Sequence, residues 1–187
     1  MRFKILDFRF WRNRILGILG GGNPCGCPKN EQRKMNRQEK AVNKFKEGFN
    51  CAQSVLYSYA DEFGLSKDLA TKIATGFGGG MGRKQEVCGA VTGALMVIGL
   101  MYGRGDEEGK DKQETTYSKV QLFIDFFINE FGTVNCKGLL DGCCLLDSEG
   151  QKTFKENKLI ERCYEYVRAS CRILDQIRGS DSDGRIS

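Results

Sequence analysis

Nine cysteines and not one histidine decide what chemistry this 187-residue chain can carry. Without imidazole there is no Ser-His-Asp or Cys-His machinery, no histidine zinc ligand and no histidine axial ligand for haem. Sulfur remains, as a nucleophile, as half of a disulfide or as a metal ligand. Cys51 and Cys88 each stand at the start of an expected helix, Cys136 lies in a turn after a third, and Cys163 falls on the inward face of the last. One thiol from each of four elements is the pattern of a site gathered at one end of a bundle. A helix start also favours a thiolate, because its unpaired N–H groups and dipole stabilise negative charge and lower a thiol pKa from ~8.5. The size of that effect limits it. The dipole contributes ~0.3–1 kcal/mol and one pKa unit is worth ~1.4 kcal/mol. The dipole alone leaves Cys88 mostly protonated at neutral pH; the nearby Arg83 and Lys84 add positive potential, and a metal or a second sulfur would add far more, so a paired or metal-bound Cys88 is a stronger reading than a lone reactive one.

Three functional readings follow. In the first, Cys88 exchanges between dithiol and disulfide with Cys51, Cys136 or Cys163, as in a thiol-disulfide oxidoreductase. In the second, the same four residues hold an iron–sulfur cluster or zinc, although the Cys-x-x-Cys pairs that usually nucleate such sites are missing. In the third, the chain is a helical interaction module whose cysteines only fill the core. Gly89 and Gly93, four apart on the helix that Cys88 opens, let a neighbouring backbone come close and bring its sulfur toward Cys88; tight helix packing alone would explain them equally well. Gly78, Gly79, Gly80 and Gly82, in the loop from Gly76 to Gly82, could offer backbone N–H groups to an anion or cofactor. That loop lacks the lysine-serine pair and the preceding strand of a phosphate-binding loop. Of the other cysteines, Cys25-Gly-Cys27 is a loose pair in a glycine and proline setting. Cys143 and Cys144 are neighbours for which a mutual bond is strained, and Cys171 reads as a small buried hydrophobe.

The elements that must position these residues are helical. Ala41, Val42 and Phe45 mark one helix, ended by Gly48. Asn50 caps a second that runs through Val55, Leu56, Tyr59 and Phe63 to Gly64, and Ser66 restarts a short third. Cys88 to Gly103 is apolar all round, too short to cross a bilayer, and reads as the buried central helix. Lys112 to Phe131 is long and amphipathic, and Leu159 to Ile177 places Ile160, Cys163, Val167, Cys171 and Leu174 on one face. The expectation is an all-α bundle of about five helices around an apolar centre, with no alternating segment to suggest a sheet.

Phe49-Asn-Cys-Ala-Gln-Ser-Val-Leu56, Gly76-Phe-Gly-Gly-Gly-Met-Gly-Arg83 and Glu86-Val-Cys-Gly-Ala-Val-Thr-Gly-Ala94, in this order, resemble the redox-active C_GCAxxG_C_C family. The resemblance extends from about Met35 to Ile177. It implies a small helical protein with a redox role, whose four family cysteines fall on Cys51, Cys88, Cys136 and Cys163. It also implies loci shared with oxidoreductases or transporters, so the expected partner is another oxidoreductase or a transporter-associated protein.

Charge divides the chain. The net charge is +5, but residues 1–34 carry eight bases against two acids, which leaves the rest at −1 and offers no basic face for nucleic acid. Three segments are therefore expected: a flexible basic extension over 1–34, a helical cysteine domain over 35–178 and a disordered polar tail over 179–187. The extension mixes bases with aromatics and could touch a membrane surface; it makes a poor signal peptide, and Met35 could equally open the domain proper. An odd cysteine count without a convincing export signal points to a cytoplasmic, reducing compartment.

Overall fold

The computed structural model describes residues 36–182, which belong to one compact unit. The expectations for the basic extension, and for Cys25 and Cys27 within it, fall outside the described residues. The chain is all-α. Its helices are α1 (Arg37–Lys46), α2 (Cys51–Ala60), α3 (Lys67–Ala74), the single turn α4 (Gly78–Met81), α5 (Gly89–Tyr102), α6 (Lys110–Phe131), α7 (Cys136–Leu139), α8 (Ser148–Glu156) and α9 (Ile160–Ser182). Among the described residues the only β feature is an isolated antiparallel bridge between Val87 and Asn135.

Local chemistry sets most of these boundaries. Asn50 caps α2 by accepting from the Gln53 N–H at 3.0 Å, while the Gln53 side-chain oxygen accepts from the Asn50 N–H, also at 3.0 Å, so two orphan donors are satisfied reciprocally. Asn36, Ser66, Asn135 and Asp147 cap α1, α3, α7 and α8 in the simpler way. A 3₁₀ turn, Asp61–Phe63, extends α2 to the left-handed Gly64, and Gly132 ends α6 in the same conformation. The last helix runs through Ser182, beyond the expected break at Gly179. Two short helices, α7 and α8, were not foreseen.

The core is the crossing of α2 and α5. Ala52, Val55 and Leu56 from α2 and Ala90, Val91, Ala94, Val97 and Ile98 from α5 are buried, each large side chain worth about 1.5–3 kcal/mol. Around this pair pack α1, α3, α6 and α9, with Phe123 and Phe127 from α6 and Val167, Ile173, Leu174 and Ile177 from α9 filling the remaining volume. The helix α5 is central as expected, but its last turn emerges, and Leu100 is 38% exposed. The two helices come this close because Gly93 has no side chain: a Cβ there would lie 2.8 Å from the Ala52 carbonyl oxygen and 3.0 Å from the Ala52 Cα. One turn earlier, a Cβ on Gly89 would lie 3.2 Å from the Cys51 Cβ. The glycine pair thus brings the neighbouring sulfur, that of Cys51, beside the start of α5.

A second, smaller cluster, Cys136, Leu140 and Leu159 with Cys143, Leu145 and Phe154 around them, sits on the region from α7 to the start of α9. Cys163 packs against both this cluster and the main core. The seam between the two is where the thiols meet.

Candidate functional site

Cys51 is the first residue of α2, Cys88 the N-cap of α5, Cys136 the first residue of α7, and Cys163 lies in the first turn of α9. All four line one cavity of about 120 Å³, with Phe45, Leu139, Leu140, Phe154 and Tyr166 among its walls. The bridge at Val87 and Asn135 fixes two of them. Cys88 donates its N–H to the Val134 carbonyl at 2.8 Å, and Cys136 donates its N–H to the Glu86 carbonyl at 2.6 Å, so the residues that open α5 and α7 leave the same short ladder side by side. The crossing of α2 and α5 delivers Cys51, and α9 delivers Cys163, anchored one turn on by Tyr166, whose hydroxyl donates to the Leu139 carbonyl at 2.8 Å.

The four sulfurs are free thiols in unlike environments. Cys51, Cys88 and Cys136 are buried, and Cys163 is half-buried. Interaction with the Cys163 sulfur holds the Cys51 thiol well above its ordinary pKa; burial and the fields of the other three thiols push the same way. The same interaction lowers Cys163 below the ordinary thiol value, against the opposing effect of burial. Burial drives Cys88 up to about 11, against the opposing pull of the Ala90 and Val91 N–H groups at the head of α5. Burial likewise raises Cys136 to about 12, with Cys88 and Cys163 adding to it. The pull expected at a helix start is therefore present at Cys88, but withdrawal from water outweighs it. Of the four, Cys163 is the most exposed and the most readily ionised. Among the described residues, no group of three or more cysteine, aspartate or glutamate side chains is disposed to hold a metal ion.

The glycine loop packs against this site. Gly79, Gly80 and Gly82 are left-handed, at φ 61°, 67° and 62°, and so are Met81, Arg83 and Gln85, which nothing in their residue types announces. A Cβ on Gly80 would stand 2.6 Å from the Cys136 Cβ, and one on Gly78 2.4 Å from the Asn50 side chain. Gly80 is thus a packing glycine for Cys136. Gly79 lines the thiol cavity, and Gly78, Gly79 and Gly82 line an adjoining groove.

Gln85 has a part the sequence did not signal. Buried at 3% exposure, it donates to the Cys143 carbonyl at 2.7 Å and accepts from the Leu145 N–H at 2.8 Å. It ties the loop that carries Leu145, a wall of the cavity, to the segment leading into Cys88. A glutamine between two charged residues, Lys84 and Glu86, carries no periodic or motif signal.

The remaining described cysteines stand apart from the cavity. Cys171 is fully buried, its sulfur 3.7 Å from the Ser58 hydroxyl, the core position expected of it. Cys143 donates to the Gly150 carbonyl at 3.3 Å, and Cys144 bonds Asp147, so these neighbours have separate partners. No helix among the described residues is long and apolar enough to cross a membrane.

The family model described as "Putative redox-active protein (C_GCAxxG_C_C)" matches residues 49–177, a span that includes all four cavity thiols. No curated protein and no solved structure matches the chain.

Proposed function

Since the chain belongs to the C_GCAxxG_C_C family of redox-active proteins, we propose that its redox chemistry is two-electron thiol-disulfide exchange, with Cys163 as the attacking sulfur and Cys51 as the resolving one. The observation that carries this reading is the convergence of Cys51 and Cys163 on one cavity lined by four cysteines, where each shifts the ionisation of the other. A thiolate is the nucleophile in exchange, and a second sulfur on the same cavity is placed to resolve the mixed disulfide.

In the reducing direction the Cys163 thiolate attacks one sulfur of a substrate disulfide. That S–S bond breaks, and the first substrate thiolate leaves and takes up a proton. Cys51 then loses its proton and attacks the Cys163 sulfur, expelling the second substrate thiolate, which is protonated in turn. The substrate gains two electrons and two protons, and the chain is left with a Cys51–Cys163 disulfide. A dithiol reductant, such as the active site of another oxidoreductase, returns it to the starting state by the reverse exchange. Cys88 and Cys136, raised to about 11 and about 12, remain thiols at neutral pH and form apolar walls for the reacting pair.

The test is oxidation of the fully reduced chain with one equivalent of a small disulfide, followed by alkylation and peptide mapping. One new link is expected, Cys51 to Cys163, reversed by dithiothreitol and lost in Cys51→Ser and Cys163→Ser. Chain purified without oxygen is expected to be colourless and to carry only substoichiometric iron and zinc. A different link, no link, or one metal or cluster per chain would overturn the proposal.

A further inference from the structure

A second space shares part of the wall of the thiol cavity. Asn50, Gly79 and Leu145 line both the thiol cavity and a larger groove of about 420 Å³. The two spaces differ in chemistry. The inner one is walled chiefly by apolar side chains and thiols, whereas Arg83 and Thr75 face the outer one. Arg83 is the one charged residue lining the groove and pairs with no carboxylate among the described residues. Its neighbours Lys84 and Glu86 are exposed, and neither lines the groove.

The backbone holds this cation at the junction. The run from Gly79 to Arg83 is left-handed throughout, and the Arg83 N–H closes it on the Gly78 carbonyl at 3.3 Å. The Arg83 Cγ consequently lies 3.2 Å from where a Gly79 Cβ would be, beside the glycine that lines both spaces. A non-glycine residue holds such a conformation against its own preference only where its surroundings enforce it. An unpaired guanidinium is a forked donor suited to a carboxylate.

We propose that the groove at Arg83 recognises an anionic substituent of the substrate, and that the substrates are small disulfides bearing a carboxylate a few bonds from sulfur. Resting on the thiol-exchange reading, this adds the substrate class: the S–S bond enters the apolar cavity toward Cys163 while the carboxylate stays outside on Arg83. The apolar inner wall offers a carboxylate no partner, so a charged disulfide is oriented with its charge toward the groove.

Three aliphatic disulfides of similar size test this on the full reduced chain: 3,3′-dithiodipropionate, bis(2-hydroxyethyl) disulfide and cystamine, respectively anionic, neutral and cationic. The readout is the rate at which the Cys51–Cys163 link forms. Arg83→Gln is expected to slow dithiodipropionate by about twofold to fivefold, the range an exposed ion pair supports. It should leave the neutral disulfide unchanged and speed cystamine. Arg83→Lys should retain part of the preference, and high salt should abolish the difference between wild type and Arg83→Gln. An equal change for all three disulfides, or none for any, overturns the proposed groove while leaving thiol exchange standing. Failure of every disulfide to oxidise wild type through Cys163 overturns both.

Discussion

At pH 7 the first of the four cavity sulfurs to be alkylated by a small neutral reagent such as iodoacetamide should be Cys163, ahead of Cys88 by at least about tenfold. The magnitude follows from two opposing effects. With its pKa raised from 9.0 to about 11, Cys88 is ionised to about one part in ten thousand at pH 7, a hundredfold less than an ordinary thiol. Its rare thiolate is intrinsically the more reactive; at a Brønsted slope of ~0.4–0.5, two pKa units return about six- to tenfold. About tenfold remains in favour of an ordinary thiol. Cys163 lies below the ordinary value and is more exposed, so its advantage over Cys88 is larger still. Quenched time points with peptide mass spectrometry measure every site at once. The cause is tested by Cys51→Ala, which removes the S–H donor and leaves burial to raise Cys163, so its alkylation slows. Cys51→Ser restores a donor and should keep most of the rate. The reasoning fails if Cys88 or Cys136 is labelled first, or if Cys163 reacts equally fast in folded Cys51→Ala.

Gly93→Ala drives a methyl to 2.8 Å from the Ala52 carbonyl, where the obstacle is backbone and cannot rotate aside, so denaturant unfolding should show a loss of about 1–3 kcal/mol. Its control is Gly99→Ala on the same helix, where a Cβ meets nothing within 4 Å; there the better helix propensity should appear as a gain of up to about 1 kcal/mol. Alkaline pH should destabilise the fold. Cys88 and Cys171, raised from 9.0 to about 11 and about 12, keep their protons in the folded chain while the unfolded chain loses them. Their stabilisation is complete below pH 9 and is lost as pH rises through the folded values, by up to about 1.4 kcal/mol per pH unit for each thiol. Denaturation midpoints between pH 8 and pH 11 check this, and Cys171→Val should flatten the slope by one thiol's share. Cys163 has the opposite sign: its stabilisation is present above pH 9 and is lost as pH falls through its lowered folded value.

The bundle was legible because its helices announce themselves locally. Asn50 with Gln53 three residues on is a complete start signal for α2, and Gly64 and Gly132 mark ends where only a left-handed residue fits. The spacing of Gly89 and Gly93 anticipated a close neighbour, because a four-residue stripe without side chains has that one structural use. What stayed hidden depends on contacts across long stretches of chain. The interaction of Cys51 with Cys163 spans 112 positions, and neither residue's neighbours encode it. The latch from Gln85 to Cys143 and Leu145 spans about sixty. The short helix α8 escaped notice because its apolar content is little more than Phe154, although Asp147 supplied an ordinary cap. The glycine loop looked open, but Gly80 is closed on Cys136, and its left-handed path continues through Arg83 and Gln85, which a reading by residue type would not place there.

Which sulfur carries charge is decided by a competition that sequence position alone cannot score. At the head of α5 the helix dipole offers Cys88 ~0.3–1 kcal/mol toward the thiolate. Removal from water costs that thiolate more, since the net rise of two pKa units, from 9.0 to about 11, amounts to about 2.7 kcal/mol after the dipole has acted. Charge therefore avoids the buried helix starts at Cys88 and Cys51 and goes to Cys163, in the first turn of α9, where water is nearer and interaction with Cys51 lowers the thiol pKa. In the proposed cycle this asymmetry gives direction: the sulfur that meets the substrate is the most readily ionised of the four, and the one that resolves the mixed disulfide holds its proton more tightly while Cys163 stands beside it as a thiolate.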